Sequence, residues 1–153
     1  MTNEQLSALQ SYVDAALPLL GLGGWRVKVI RDSGPDEHQA TLEYFHGRRE
    51  AELEVAGDFF ERVARSQREL LAHELAHLVL AHLDLHARGR ELRDVLGGPA
   101  FELFQLGWRQ LLELAVDTLE PLLVDILVDR LPGPVFPVSA ARPDDRHDFR
   151  EPS

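Results

Sequence analysis

A His-Glu-x-x-His pentad occupies positions 73 to 77 and carries the strongest chemical signal in the sequence. Residues of a helix advance by about 100° each, so His73 and His77 project about 40° apart and one turn apart. Two imidazoles in that arrangement can bind one zinc ion. The carboxylate of Glu74 can then take a proton from a zinc-bound water, whose pKa the metal lowers toward about 7. The pattern predicts a zinc site with His73 and His77 as ligands and Glu74 as the general base.

A catalytic zinc site usually has three protein ligands, so a third donor must come from elsewhere in the chain. The sequence has no Cys, which excludes a thiolate ligand. A third histidine of the metzincin kind would stand at position 83, which is Leu83. His82 projects about 180° from His73 on an ideal helix and points away from the metal. The remaining candidates are carboxylates of a downstream helical segment that share one face, namely Glu113, Asp117 and Glu120.

The segment from residue 73 to residue 82, followed by Glu113-x-x-Val-Asp117, resembles the gluzincin class of zinc metallopeptidases. Within that class it is similar to the compact minigluzincins and to domains of the ImmA/IrrE type. Those families share a Glu-x-x-Ala-(Asp or Asn) signature, in which the Glu binds zinc and the Asp or Asn supports the site. The resemblance implies that Glu113 is the third ligand and that Asp117 orients a ligand imidazole. Glu120, on the same face, is the alternative ligand.

The resemblance also implies a reaction, the hydrolysis of peptide bonds in a peptide or protein substrate. Zinc would polarise the scissile carbonyl, and Glu74 would activate the water and pass its proton to the leaving amine. In such proteins the strand before the active helix, here residues 50 to 56, commonly forms the rim of the cleft. An extended peptide could add to the edge of that strand by main-chain hydrogen bonds. The side chain that assists zinc at the oxyanion stays open among Tyr44, His46, His86 and Arg109.

Two other interpretations of the motif stay open at this point. The first is a non-catalytic zinc-binding module with a zincin fold and an interaction or regulatory role, because function depends on the site rather than on the fold. The second is a latent enzyme, in which the acidic segment at residues 144 to 148 reaches the cleft and occupies the open metal position.

The first half of the chain has the periodicity of one helix and three strands. Residues 2 to 20 predict an amphipathic helix that begins with a capping box formed by Thr2 and Gln5. Alternating apolar residues then predict three short strands with intervening turns. The strands are expected at residues 25 to 30, 40 to 45 and 50 to 55, and the turns at residues 32 to 37 and 46 to 49.

After residue 57 the apolar period changes from two to about 3.6, which predicts helices. We expect a central helix over residues 70 to 85, preceded by a second capping box at Ser66 and Glu69, a short polar helix over residues 88 to 96, and a helix from Pro99 through Leu119. Pro121 either kinks that last helix or starts another that reaches about residue 131. The predicted fold class is α+β and zincin-like, with a small twisted sheet, an N-terminal helix, an active-site helix and a downstream helix carrying the acidic metal ligand.

The 153 residues predict a single domain at residues 1 to 131, followed by a proline-rich and poorly ordered tail at residues 132 to 153. An excess of 26 acidic over 16 basic residues gives a net charge of −10, which disfavours binding to nucleic acid or anionic lipid. No apolar run approaches the roughly 18–20 residues of a membrane span, and the N-terminus lacks a signal-peptide pattern. We therefore expect a cytoplasmic protein with no nucleic-acid or membrane partner.

Overall fold

The computed structural model describes residues 1–31, 40–45 and 47–131. The predicted turn at residues 32 to 37, His46 and the predicted tail at residues 132 to 153 lie outside the described residues. In chain order the elements are helix α1 (Asn3–Leu19), strands β1 (Arg26–Arg31), β2 (Ala40–Phe45) and β3 (Glu50–Val55), a 3-10 turn (Gly57–Glu61), and helices α2 (Ala64–Val79), α3 (Ala81–Arg88), α4 (Arg90–Leu96) and α5 (Gly98–Arg130). The protein is therefore α+β, as predicted.

Helix α1 begins at the predicted capping box. The backbone N–H of Gln5 donates to Thr2 Oγ1 at 3.2 Å, and the N–H of Thr2 donates to Gln5 Oε1 at 2.7 Å. These bonds satisfy two of the N–H groups that a helix start leaves unpaired. The apolar face of α1 then packs into the core through Leu9, Val13 and Ala16, which are fully buried.

The three strands form one mixed sheet in the order β1-β3-β2. Strand β3 pairs in parallel with β1 and antiparallel with β2, so it is the central strand. The expectation that residues 50 to 56 offer a free edge to a peptide is therefore wrong. Alternation along β3 buries Ala51, Leu53 and Val55 as predicted, but alternation reports which face a side chain takes and not which strands lie beside it.

The outer edge of β1 is covered by a side chain of α1. Gln10 Nε2 donates to the carbonyl of Val27 at 2.8 Å, and the N–H of Val29 donates to Gln10 Oε1 at 2.8 Å. The amide of Gln10 thus makes the two hydrogen bonds that a neighbouring strand would make to these residues.

Helix α2 begins at Ala64, earlier than predicted, and ends at Val79 rather than continuing to residue 85. The second capping box is not formed, because Val63 is the N-cap and makes no side-chain cap, which places Ser66 inside the helix. Glu69 instead pairs with Arg65, one turn earlier, at 2.7 Å. At Leu80 the backbone has a ψ of −2°, and a separate helix, α3, begins at the next residue.

Helix α5 continues through Pro121 to Arg130, which decides between the two alternatives for that proline in favour of one continuous helix. The helix packs mainly against α2, and its buried residues are Leu112, Val116, Leu123 and Leu127. The register of that buried face also determines which carboxylates of α5 point toward α2. None of the described helices, α5 included, has both the length and the apolar character of a membrane-spanning segment.

Candidate metal centre

The two imidazoles of the pentad lie side by side on α2, as the helical spacing predicts. The ring centroids of His73 and His77 are 5.4 Å apart, and the ring planes are inclined by 76°. Leu71, Leu75 and Leu78 of the same helix are buried and fix its rotation against the sheet and α5. The side chains of His73 and His77 keep 27% and 16% of their surface exposed, which leaves both rings accessible from one side.

Glu113 of α5 faces both imidazoles. Its Oε2 atom lies 3.8 Å from His73 Nε2 and 3.9 Å from His77 Nε2. The ligand atoms of the three residues all lie within 4.8 Å of one another. Donors around one tetrahedral zinc, at bonds of about 2.1 Å, are roughly 3.4 Å apart, so small side-chain movements suffice. Two imidazoles and one carboxylate are also a known catalytic zinc donor set, and the residues present fit the metal.

The other nitrogen of the His73 ring faces a different pair of carboxylates. Its Nδ1 atom lies 3.2 Å from Glu120 Oε2 and 3.7 Å from Asp117 Oδ1. A ligand histidine commonly donates its second ring N–H to a carboxylate, which fixes the ring and its tautomer. Glu120 is the nearer of the two and the less exposed, at 28% against 64% for Asp117. The geometry thus separates Glu113, on the shared Nε2 side, from Glu120, on the Nδ1 side.

Glu74 is buried beneath β2, with 7% of its surface exposed, and accepts a hydrogen bond from the backbone N–H of Leu42. Burial raises the pKa of Glu74 from its ordinary 4.5 to about 7, and the nearby charge of Glu113 adds to the rise, while His73 and the Leu42 N–H oppose it. A carboxyl group that titrates near neutral pH can both accept and return a proton. Burial also lowers the pKa of His77, which favours the neutral ring that a metal requires.

These groups line a cleft of about 480 Å³. One wall is strand β2, and the others are α2, the end of α3 and the middle of α5. The strand at the rim is therefore β2 and not β3. The lining residues are Ala40, Thr41, Leu42, Glu43, Tyr44, His73, Glu74, His77, Arg88, Leu112 and Glu113.

The four oxyanion candidates have different positions. Tyr44 lines the cleft, but its hydroxyl group donates to Asp84. His86 and Arg109 are not among the described residues that line the cleft, and His46 lies outside the described residues. Tyr44 is therefore the one candidate of the four that the described structure places at the cleft.

Asp84 of α3 connects three elements around the cleft and was not singled out from the sequence. The residue is 1% exposed and accepts hydrogen bonds from Tyr44 Oη, from Trp108 Nε1 at 2.8 Å and from Arg88 Nε at 2.8 Å. Burial acts to raise the pKa of Asp84, but these three hydrogen bonds outweigh it and hold the pKa below its usual value. The signal was a single carboxylate between Leu83 and Leu85 in an apolar stretch, since a buried charge requires partners.

Comparisons of the chain with protein-family models, with curated proteins and with solved structures find no match. The cleft itself, with its cluster of donor atoms and its buried carboxyl group, is therefore the basis for the proposed function.

Proposed function

We propose that this protein is a zinc-dependent peptide hydrolase with a zincin-like fold, in which His73, His77 and Glu113 hold the metal. The observation that carries the proposal is the convergence of these three side chains from α2 and α5 on one cleft. The buried carboxyl group of Glu74 shares that cleft. The buried carboxyl group of Glu74, next to two imidazoles that share one face of α2, distinguishes this cluster from an incidental group of surface acids.

Bound zinc would lower the pKa of a water molecule and polarise the scissile carbonyl. Glu74 is placed to hold the proton that this water loses and to return it to the leaving amine, because its buried carboxyl group lies in the same cleft as the proposed metal ligands. Glu120 would hold the Nδ1 proton of His73, so that Nε2 keeps its lone pair for the metal. Asp117 lies on the same side of His73 as a more distant carboxylate.

The peptide would lie along β2. Among the described residues, β3 is the only strand that pairs with β2, and the other edge of β2 borders the cleft. Main-chain hydrogen bonds to that edge would hold an extended segment of any sequence, which suits a small enzyme with an open cleft. The Leu42 N–H donates to Glu74, which ties β2 to the proposed base and leaves the other main-chain groups of that edge to the peptide.

Metal analysis of the purified protein tests the ligand set. Wild type should carry about one zinc per chain, and Glu113→Ala should lose most of it, because only two protein ligands remain. Asp125→Ala is the matched control, an exposed carboxylate on the same helix, and should keep its zinc. If Glu113→Ala keeps its zinc and Glu120→Ala loses it, the third ligand is Glu120 and not Glu113.

Cleavage of a peptide library by the zinc-loaded protein tests the reaction. Wild type should cut peptides, and Glu74→Ala should bind zinc without cutting them. Wild type that carries stoichiometric zinc and cuts no peptide would instead favour the non-catalytic zinc-binding module. The latent form involves residues 144 to 148, which lie outside the described residues. A chain that ends at residue 131 and is no more active than the full chain would argue against it.

A further inference from the structure

Arg88, at the end of α3, lines the same cleft as the proposed metal ligands. Among the described residues that line this cleft, it is the one Lys or Arg, and the other charged groups are carboxylates. Two further arginines, Arg90 and Arg93, lie beside Arg88 in a neighbouring pocket, but neither lines the cleft of the proposed metal ligands.

The guanidinium group of Arg88 is anchored at one edge. Its Nε donates to Asp84 Oδ1 at 2.8 Å, and Asp84 is itself held by Tyr44 of β2 and Trp108 of α5. Three elements therefore fix the carboxylate that holds the arginine. Half of the Arg88 side chain is exposed, and its Nη atoms have no hydrogen-bond partner within the described ranges. The N–H groups of those atoms are available to a ligand.

The anchor also gives Arg88 a position along the cleft. Asp84 bonds Arg88 through Oδ1 and Tyr44 through Oδ2, so the guanidinium group lies at the Tyr44 end of β2 and not at the Ala40 end. A peptide that lay along β2 would therefore meet this cation at one side of the scissile bond. A planar guanidinium group binds a carboxylate through two parallel N–H···O bonds, a geometry that neutral peptide groups do not match.

Building on the proposed peptidase function, we infer that Arg88 determines specificity by binding a carboxylate of the peptide at the Tyr44 end of the cleft. The carboxylate belongs either to an acidic side chain or to the C-terminus of the peptide, and both present the same two oxygens. Arg88 is assigned to substrate binding and not to the metal or to the proton transfers.

Peptide binding tests this assignment independently of turnover. Zinc-loaded full-length Glu74→Gln protein is titrated calorimetrically with four peptides of one sequence, which carry Glu or Gln at one position and end as a free acid or as an amide. With Arg88 present, the peptides that carry the recognised carboxylate should bind about tenfold more tightly than the peptide with neither, the size expected of a half-exposed charged hydrogen bond. The peptide pairs themselves give this readout, so it does not depend on the folding of an Arg88 variant.

Three variants in the same background assign the preference to Arg88. Arg88→Gln should abolish it and leave the neutral peptide within about twofold, and Arg88→Lys should restore part of it, because a charge remains without the planar fork. Arg90→Gln is the matched control, an arginine of α4 that is 93% exposed and pairs with Asp94, and the preference should persist there.

The outcomes separate the sources of the carboxylate and the two proposals. A preference confined to Glu over Gln identifies an acidic side chain, and one confined to the free acid identifies the C-terminus. An equal loss for all four peptides in Arg88→Gln, or no binding of any peptide, would overturn the inference. Arg88-dependent binding of a carboxylate by a zinc-loaded wild type that cuts none of the four would leave this inference standing and count against the hydrolase.

Discussion

The two outer edges of the sheet, along β1 and along β2, have different surroundings. At β1, the amide of Gln10 bonds the carbonyl of Val27 and the N–H of Val29, in the manner of a neighbouring strand. At β2, the described edge borders the cleft, and the Leu42 N–H donates to the buried carboxyl of Glu74. One edge is closed by a side chain of a core helix, and the other faces the groups that the proposed reaction uses.

An open strand edge is a liability, because it can pair with any other chain. This protein closes the edge of β1 with the amide of Gln10 and keeps the edge of β2 at the cleft that contains Glu74. Under the proposed function, the accessible edge is where an extended substrate adds. Changes at β2 and Glu74 should therefore alter catalysis, whereas changes at Gln10 should alter stability.

The largest effect is expected from Glu74→Gln, which keeps the shape of the side chain and removes the proposed base. The turnover number should fall by about 10²–10⁴-fold at neutral pH, the usual contribution of a positioned acid–base group. Steady-state kinetics and the zinc content of the same samples check this, and the zinc content should not change. Glu43→Gln is the control, since Glu43 is an exposed cleft carboxylate on β2. Equal losses in the two variants would assign the effect to the charge of the cleft.

The next effect concerns the stability of the metal-free protein. Because the fold raises the pKa of Glu74 from 4.5 to about 7, the folded state favours its protonated form. The stabilisation from Glu74 is fully present below about pH 4.5 and is lost as the pH rises through about 7, a change on the order of 3 kcal/mol. Urea unfolding of chelated wild type and Glu74→Gln at several pH values measures it. A difference between the two proteins that did not vary with pH would contradict the prediction.

A smaller effect is expected at the closed edge. Gln10→Ala leaves the carbonyl of Val27 and the N–H of Val29 without their partner and should lower the free energy of unfolding by about 1–3 kcal/mol. Gln110→Ala removes the same side chain from an exposed position of α5 and should change it by less than about 0.5 kcal/mol. Urea unfolding compares the two, and cleavage by the folded Gln10→Ala protein should equal that of wild type. A marked loss of cleavage by folded Gln10→Ala would mean that the β1 edge also contributes to catalysis.

The smallest effect concerns the main-chain hydrogen bonds between a peptide and the edge of β2. N-methylation of single residues in a cleaved peptide should lower kcat/KM by about 2–10-fold where it removes a main-chain hydrogen bond to β2. The sensitive positions should alternate along the peptide, because successive N–H groups of an extended strand point to opposite sides. A scan that shows no alternation would mean that the peptide does not add to β2 as a strand.

Local periodicity was sufficient for the bounds of β2 and β3, which lie where the sequence predicts them. The same periodicity could not give the strand order, because the position of β3 between β1 and β2 depends on pairing across the sheet. The end of α2 at Leu80 was also hidden, since neither Gly nor Pro marks it. The continuity of α5 through Pro121 depends on the packing of that helix and not on its local sequence.

The geometry of the candidate site could be predicted where its residues belong to one helix. The spacing of His73 and His77 fixes their relation on α2, so that half of the centre is a local property. The choice between Glu113 and Glu120 depends on how α5 packs against α2, which no spacing within α5 reveals. The anchoring of Arg88 by Asp84 requires α3, β2 and α5 to meet. Sequence patterns could not predict it, because it depends on tertiary packing.

The proposed ligands come from two helices, and Glu113 follows His73 by 40 positions in the chain (113 − 73). An ion held by both would tie α2 to α5 and would bind the native chain but not the unfolded one. Each tenfold rise of free zinc above the dissociation constant then adds about 1.4 kcal/mol to the free energy of unfolding. Cellular proteases degrade chains that open, so the abundance of this protein would rise and fall with the zinc supply of its compartment.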